Sequence, residues 1–320
     1  MVQFTSSVNC RLDHFLKTHH FQNCSRSQIA DFIKCKNVIV NKSIVGKPSY
    51  SVKVNDIIQV NNEIKTTLHQ SRDSLPSVNI VFEDENFAVI NKEINTVVHS
   101  GSGNEANTLV DALIAKYGID GLSEARGKHE AGIVHRLDKD TGGLMLIAKT
   151  QKGFQSLTEQ IQSKTCVRKY LCLCYGRIMP AQSKVESWIT KRQKNRTHYY
   201  VTKDPDEFAK FAVMDYKALK YIQGKFTLTE VTLETGRKHQ IRVQMQHIGY
   251  PIIGDQKYLC QNSASFLRLN AAERDLAATV GHQLLYSYKL EIVSPTTGKT
   301  LKFEMPIPKE INDFIGKVTE

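Results

Sequence analysis

Residues 132–149 read Gly-Ile-Val-His-Arg-Leu-Asp-Lys-Asp-Thr-Gly-Gly-Leu-Met-Leu-Ile-Ala-Lys, and no other stretch restricts the fold of this chain as closely. Two apolar, β-like runs, Ile133-Val134 and Leu144 to Ala148, flank a turn that crowds His135, Arg136, Asp138, Lys139 and Asp140 together. The spacing predicts two buried strands with a charged turn between them. A core strand gains nothing from so many ionisable groups at its end, whereas a reacting group needs rigid support. The reading without chemistry is a charged hairpin tip.

At 320 residues there is room for two domains, and 41% hydrophobic residues supply a sizeable core. No apolar run approaches the ~18 residues of a membrane-spanning helix. Met1 to Cys10 lack a basic start followed by an apolar stretch, so no secretory signal is read and the cytoplasm is expected. Seven cysteines, none in a Cys-x-x-Cys pair, read as small hydrophobes in a reducing compartment rather than as a disulfide frame or zinc site. The eleven histidines show no ligand spacing either, so no metal is expected. The net charge of +11 favours a polyanionic partner through counterion release. Residues 1–60 hold eight Lys/Arg against three Asp/Glu, a net of +5 in under a fifth of the chain.

Apolar residues at 8, 12, 15 and 16 predict a helix within Val8 to His20. Ser25 or Ser27 caps a second, with Ile29, Ala30, Phe32 and Ile33 as its buried stripe. Short extended pieces follow at Val38 to Val40, Tyr50 to Val54 and Ile57 to Val60, with turns at Asn41-Lys42 and Asn55-Asp56. This is a compact module of residues 1–60. Residues 61–78 are polar, contain Pro76 and keep no period, and so read as a linker. A second domain, 79–320, opens with strands at Ile80 to Phe82 and Phe87 to Ile90. It continues with a helix from Thr108 to Gly118, another over about Gly153 to Gln162, and β-rich runs at 170–175, 211–222, 226–233, 284–293 and 300–305. The fold class is α+β, a mainly antiparallel mixed sheet with flanking helices.

The segment His135-Arg136-Leu137-Asp138-x-x-Thr141-x-Gly143-Leu144 resembles the signature of the RluA-type pseudouridine synthases. Glu234-Thr235-Gly236-Arg237-Lys238-His239-Gln240-Ile241-Arg242 is similar to that family's Thr-Gly-Arg-x-His-Gln-Ile/Leu-Arg, and Arg168-Lys169-Tyr170-Leu171-Cys172-Leu173-Cys174-Tyr175-Gly176 to its Lys-x-Tyr-x-Ala-x-Val-x-Gly. Arg11-Leu12-Asp13-x-x-Leu16, Ser25-Arg26-Ser27-x-Ile29 and Val38-x-Val40-Asn41 resemble an S4 RNA-binding domain. The resemblance implies an RNA pseudouridine synthase with Asp138 as catalytic residue, Arg242 as its partner and Tyr170 against the target base. It implies an RNA contact from Arg136, as the wedge that replaces the extruded uridine, while Arg237 and His239 read as RNA contacts or as structural hydrogen-bonders. On the S4 module it implies contacts from Arg11, Arg26, Lys34, Lys36 and Lys42. His135 either touches the same strand or orients the turn.

The chemistry suits those residue types. Breaking the N-glycosidic bond builds cationic character at the sugar C1′, which a carboxylate stabilises or attacks. The Asp either attacks the sugar or removes a sugar proton, and the sequence leaves both routes open. Water must stay out, yet burial raises a carboxyl pKa by up to ~3–5 units, so a dry carboxylate wants one positioned arginine. The isomerisation needs no metal, redox step or cosubstrate, and no cofactor is expected. The S4-plus-catalytic layout resembles the ribosomal members of the family, which implies large-subunit ribosomal RNA as substrate, with tRNA open, and the protein is expected to act as a monomer. The rivals are a non-catalytic RNA clamp and, more weakly, a glycosidase-like hydrolase. The basic, aromatic stretch from Lys191 to Tyr200 is either an RNA surface or a solvated charge run. Several flanks depart from the family pattern: Lys92-Glu93-Ile94-Asn95 replaces Lys-Pro-x-Gly, Gln244 a histidine, Leu259 a glycine, and Leu285-Tyr286-Ser287 Leu-His-Ala.

Overall fold

The structure is a computed structural model that describes residues 2–21, 29–30, 32–33, 37–60, 75–100, 106–191, 198–259 and 263–319. Arg26, Lys34, Lys36, the Ser25/Ser27 cap, most of the 61–78 linker and residues 192–197 of the basic stretch lie outside the described residues. The chain divides into Met1–Leu75 with Ser100–Asn107, and Pro76–His99 with Thr108–Glu320.

In the first unit, β1 (Val2–Thr5) precedes β2 (Cys10–Arg11), helix α1 (Leu12–His19), β3 (Val38–Val40), β4 (Ser43–Val45), β5 (Ser51–Val52) and β6 (Ile57–Val60). The sheet order is β1-β6-β3-β4, with β2 paired to β5. Helix α1 starts later than the apolar spacing from Val8 suggests, because Cys10 and Arg11 pair with Val52 and Ser51 instead. Leu12, Phe15 and Leu16 bury one face of α1 against Ile29, Ile33, Val38, Val40, Val52, Ile58 and Val60. The two-residue turn between β3 and β4 holds Asn41 and Lys42 at φ of 48° and 66°, the left-handed geometry of tight hairpins.

The second unit begins with β7 (Asn79–Glu83), β8 (Phe87–Lys92), α2 (Leu109–Tyr117), β9 (Gly142–Ala148) and α3 (Gln151–Gln162). Then come β10 (Val167–Tyr175), β11 (Gln182–Lys191), β12 (Tyr199–Thr202), β13 (Lys210–Ile222) and β14 (Phe226–Leu233). The unit ends with α4 (Gln240–His247), α5 (Ala264–Leu267), α6 (Ala271–Ala278), β15 (Leu285–Val293), β16 (Thr300–Glu304) and α7 (Lys309–Thr319). These strands form one ten-stranded sheet in the order β12-β11-β13-β14-β10-β15-β9-β8-β7, with β16 on β15. Every named pairing is antiparallel except β9 with β15, where Gly142 and Gly143 lie against Tyr286 and Ser287.

Period-two alternation decides the two faces. Tyr170, Cys172 and Cys174 of β10 join the core that includes Ala88, Ile90, Met145 and Ile147, covered by Leu109 and Leu113 of α2 and Ile241 and Met245 of α4. Leu171, Leu173 and Tyr175 point the other way, onto Phe226, Leu228, Tyr286 and Phe314 of α7. Helix α2 is opened by Thr108 in a capping box with Asp111 and closed by Gly118, a start and stop legible in the sequence. The strands expected at 226–233, 211–222 and 284–293 are present to within a residue.

Candidate active site

One expectation for the 132–149 segment is corrected. Only Gly142–Ala148 is a strand; Ile133-Val134 contributes a single bridge, Ile133 to Ile147, before the chain turns away. Gly132, at φ 76°, and the Ala148 N–H donated to its carbonyl fix that departure. The residues between form a pinned turn rather than a hairpin. The Thr141 N–H donates to the Asp138 carbonyl at 3.1 Å. The Thr141 hydroxyl accepts from Gln283 Nε2 at 3.2 Å. From beneath, Lys92 Nζ donates to the carbonyls of Glu93, Thr96 and Lys139 at 2.8, 2.9 and 2.9 Å. Lys92 is only 1% exposed, and burial pushes its ammonium down to about 8, partly countered by Asp140, Asp138 and Glu93. Gly143 sits at φ +105°, and a Cβ there would meet the Ser287 carbonyl oxygen at 2.0 Å, so the β9–β15 pairing needs glycine.

The second motif folds as a turn followed by α4. Gln240 ties the turn together: its Oε1 accepts from the Thr235 hydroxyl at 2.8 Å and the Arg237 N–H at 3.0 Å, and its Nε2 donates to the Val213 carbonyl. His239 takes the left-handed conformation at φ 56° as the residue before the helix. Arg242, one turn in, projects from a helix whose Gln240, Arg242 and Gln244 are all buried.

Here the two motifs meet. Arg242 Nη1 donates to Asp138 Oδ2 at 3.1 Å. Its Nε and Nη2 donate to Asp255 Oδ2 and Oδ1 at 2.7 and 2.8 Å, a bidentate clasp on a carboxylate with no exposed surface. Asp255 Oδ1 also accepts the N–H groups of Lys257 and Tyr258, both at 3.0 Å. Burial disfavours the Arg242 charge, but the hydrogen bonds and charges of Asp255 and Asp138 more than offset it and hold its pKa above the ordinary arginine value. Tyr258 lies with its ring 5.0 Å from that guanidinium and its hydroxyl 2.6 Å from His239 Nδ1. His239 Nε2 is 3.9 Å from Asp138 Oδ1; burial pushes this imidazole down to about 4, against the pull of Asp138, so it is neutral at pH 7.

Asp138, Tyr170, Arg242, Arg136, Arg237 and His239 line one pocket together with the apolar side chains of Leu137, Leu233, Ile241 and Leu285. Burial raises the Tyr170 phenol, which therefore keeps its proton at neutral pH. Arg136 is exposed at the rim, 3.4 Å from His99 Nε2. Arg237, also exposed, donates from Nε to the Phe211 carbonyl at 2.9 Å. His135 departs from the RNA-contacting reading. Its ring is buried, Nε2 accepts the Leu146 N–H at 3.0 Å, and burial holds it down at about 3, so it orients the turn from inside the core. Of the S4 candidates, Lys42 is exposed and Arg11 forms a forked pair with Asp13 at 3.0 and 2.6 Å. Among the described residues no group of three or more His, Cys, Asp or Glu is arranged to hold a metal.

Asp255 and Lys92 carry the site's framework and were missed in the sequence. The available signal for Asp255 was a lone carboxylate directly after Pro251-Ile252-Ile253-Gly254, since a buried acid demands a cation. Arg168, also buried, has no partner for Nε among the described residues; its Nη1 lies 3.1 Å from where a Cβ at Gly236 would stand.

Comparison with known proteins gives the family. Residues 86–247 match the RNA pseudouridylate synthase family model, and residues 10–58 the S4 domain model. An uncharacterized RNA pseudouridine synthase of Bacillus subtilis is 34% identical over 305 residues, covering 95% of this chain and 93% of that protein. Ribosomal large subunit pseudouridine synthase D of Salmonella typhimurium is 33% identical over 322 residues, covering 98% and 94%. The solved structure of human RNA pseudouridylate synthase domain containing 4 superposes with a TM-score of 0.58 at 23% identity, over 75% of this chain and 92% of that one, which shows a shared fold. The chain belongs to the RNA pseudouridylate synthase family and carries an S4 domain at its N-terminal end.

Proposed function

We propose that this protein isomerises uridine to pseudouridine in large-subunit ribosomal RNA, with Asp138 as the catalytic carboxylate. The observation that carries the reading is the chain of charges from Asp138 through Arg242 to the fully buried Asp255. A pure RNA clamp has no use for a carboxylate aimed into a groove that receives an anion. Arg242 occupies Oδ2, while Oδ1 lies 3.9 Å from the neutral His239 and is the oxygen that acts at the sugar, by attack or by taking a proton. The apolar residues of the lining limit water around the loosened base once the nucleotide is seated. Tyr170 offers its ring to stack on uracil. Arg136 at the rim fills the gap left by the extruded nucleotide. We read the protein as a monomer that acts in the cytoplasm, as expected of an enzyme that modifies bacterial-type ribosomal RNA. The ribosomal assignment rests on the names of relatives that span almost all of this chain.

The test is pseudouridine mapping of total RNA from cells with and without the protein. One or more pseudouridines of large-subunit ribosomal RNA are expected to vanish and to return with the wild-type chain. Loss confined to tRNA would move the substrate; an unchanged map would end the assignment.

A further inference from the structure

Beside the Asp138 pocket lies a second, larger concavity that the reaction itself does not use. The space at Asp138 measures about 50 Å³, whereas the neighbouring cleft measures about 410 Å³. Ligand pockets run to roughly 300–1,000 Å³, so only the second is already open to a nucleotide-sized group. Arg237 lines both spaces. The cleft has two aromatic walls, Tyr199 and Phe208, and Phe208 is 52% exposed, which leaves a large apolar ring facing water. Each ring has a cation at hand: Lys191 Nζ lies 5.1 Å from the Phe208 centroid and Lys238 Nζ 5.8 Å from that of Tyr199. With Lys210 and Arg237 these make four positive charges against the single carboxylate of Glu207.

Aromatic faces set among cations are what a single-stranded nucleotide requires, the rings for its base and the charges for its phosphates. The cleft is also mechanically joined to the chemistry. The Tyr199 ring meets the His239 ring edge-on at 5.4 Å, and the Tyr199 N–H donates to the Tyr258 hydroxyl, which contacts His239. We infer that this cleft receives the base of a nucleotide next to the target uridine, so that it selects the RNA by a flanking residue as well as by the uridine. The inference rests on the RNA-isomerase reading of the adjoining pocket.

The test uses the full chain and 5′-labelled pentauridylate, either intact or with one nucleotide beside the central uridine made abasic. Phe208 is exposed and outside the reaction pocket, so Phe208→Ala leaves the fold intact. Wild-type protein should lose about tenfold in affinity for the abasic oligomer at one flanking position, the size of one base stack. Phe208→Ala should bind the intact oligomer about tenfold more weakly and lose nothing further with the abasic one. On ribosomal RNA the same variant should raise KM with kcat unchanged, and Lys238→Ala should lower the salt slope of binding by about one. Equal binding by Phe208→Ala and wild type, or an abasic penalty undiminished in the variant, overturns the cleft. If wild type converts ribosomal uridine and the variant matches its KM, the cleft fails alone. If oligomer binding depends on Phe208 while ribosomal RNA is never converted, the cleft stands and the substrate assignment fails.

Discussion

Asp138, Arg242 and Asp255 share one line of hydrogen bonds in which a single guanidinium serves two carboxylates. Asp255, with no exposed surface, fixes the arginine; Asp138, with its side chain 18% exposed, opens into the pocket. Removing Asp255 leaves a buried guanidinium held only at its outer end. Asp255→Ala should therefore cost about 3–5 kcal/mol in urea unfolding, as broken buried pairs do. It should also lower kcat by roughly a hundredfold with KM nearly unchanged, because Arg242 would no longer hold Asp138 in line. A loss confined to stability would make Asp255 structural only. At this scale Asp138 and Arg242 were legible because both stand in dense polar motifs. Asp255 stands in a short apolar loop, and nothing in the sequence names its partner 13 residues earlier. His135 shows the opposite limit: a histidine in a charged turn looks like a contact, yet its ring faces the core.

The element that aims Asp138 is the turn ahead of β9, and its precision depends on how closely β9 approaches β15. With Gly143 at φ +105° and the Ser287 carbonyl 2.0 Å from any Cβ, Gly143→Ala must push the strands apart. Left-handed strain alone costs about 1–3 kcal/mol, and the displaced pairing adds to it. Thermal unfolding should register a loss of at least ~3 kcal/mol, with activity falling further than stability explains. A variant of wild-type stability and activity would show that this contact does not position the turn. Strands of this sheet were legible where side chains alternate over a long run, as in β13 and β14. Helix α4 was not, because its buried positions include Gln240, Arg242 and Gln244 and so show no apolar stripe. Strand β4 escaped for another reason: it is three residues long with two of them exposed.

For the whole molecule, the surplus of +11 charges and the matched S4 domain at residues 10–58 point to RNA gripped through its backbone. Deleting residues 1–60 removes eight basic side chains, and the slope of log affinity against log salt should flatten by about two to four units. An unchanged slope would leave the S4 domain without a role in binding. The fold class was legible at this scale from long alternating runs set among a few short helices, as in β13, β14 and β15. Asp138→Asn decides the catalytic role of this carboxylate through a paired measurement, single-turnover pseudouridine formation and equilibrium binding on the same ribosomal RNA. The expected result is a rate at least ~10⁴-fold lower with affinity within a few-fold of wild type. Turnover near the wild-type rate would contradict it.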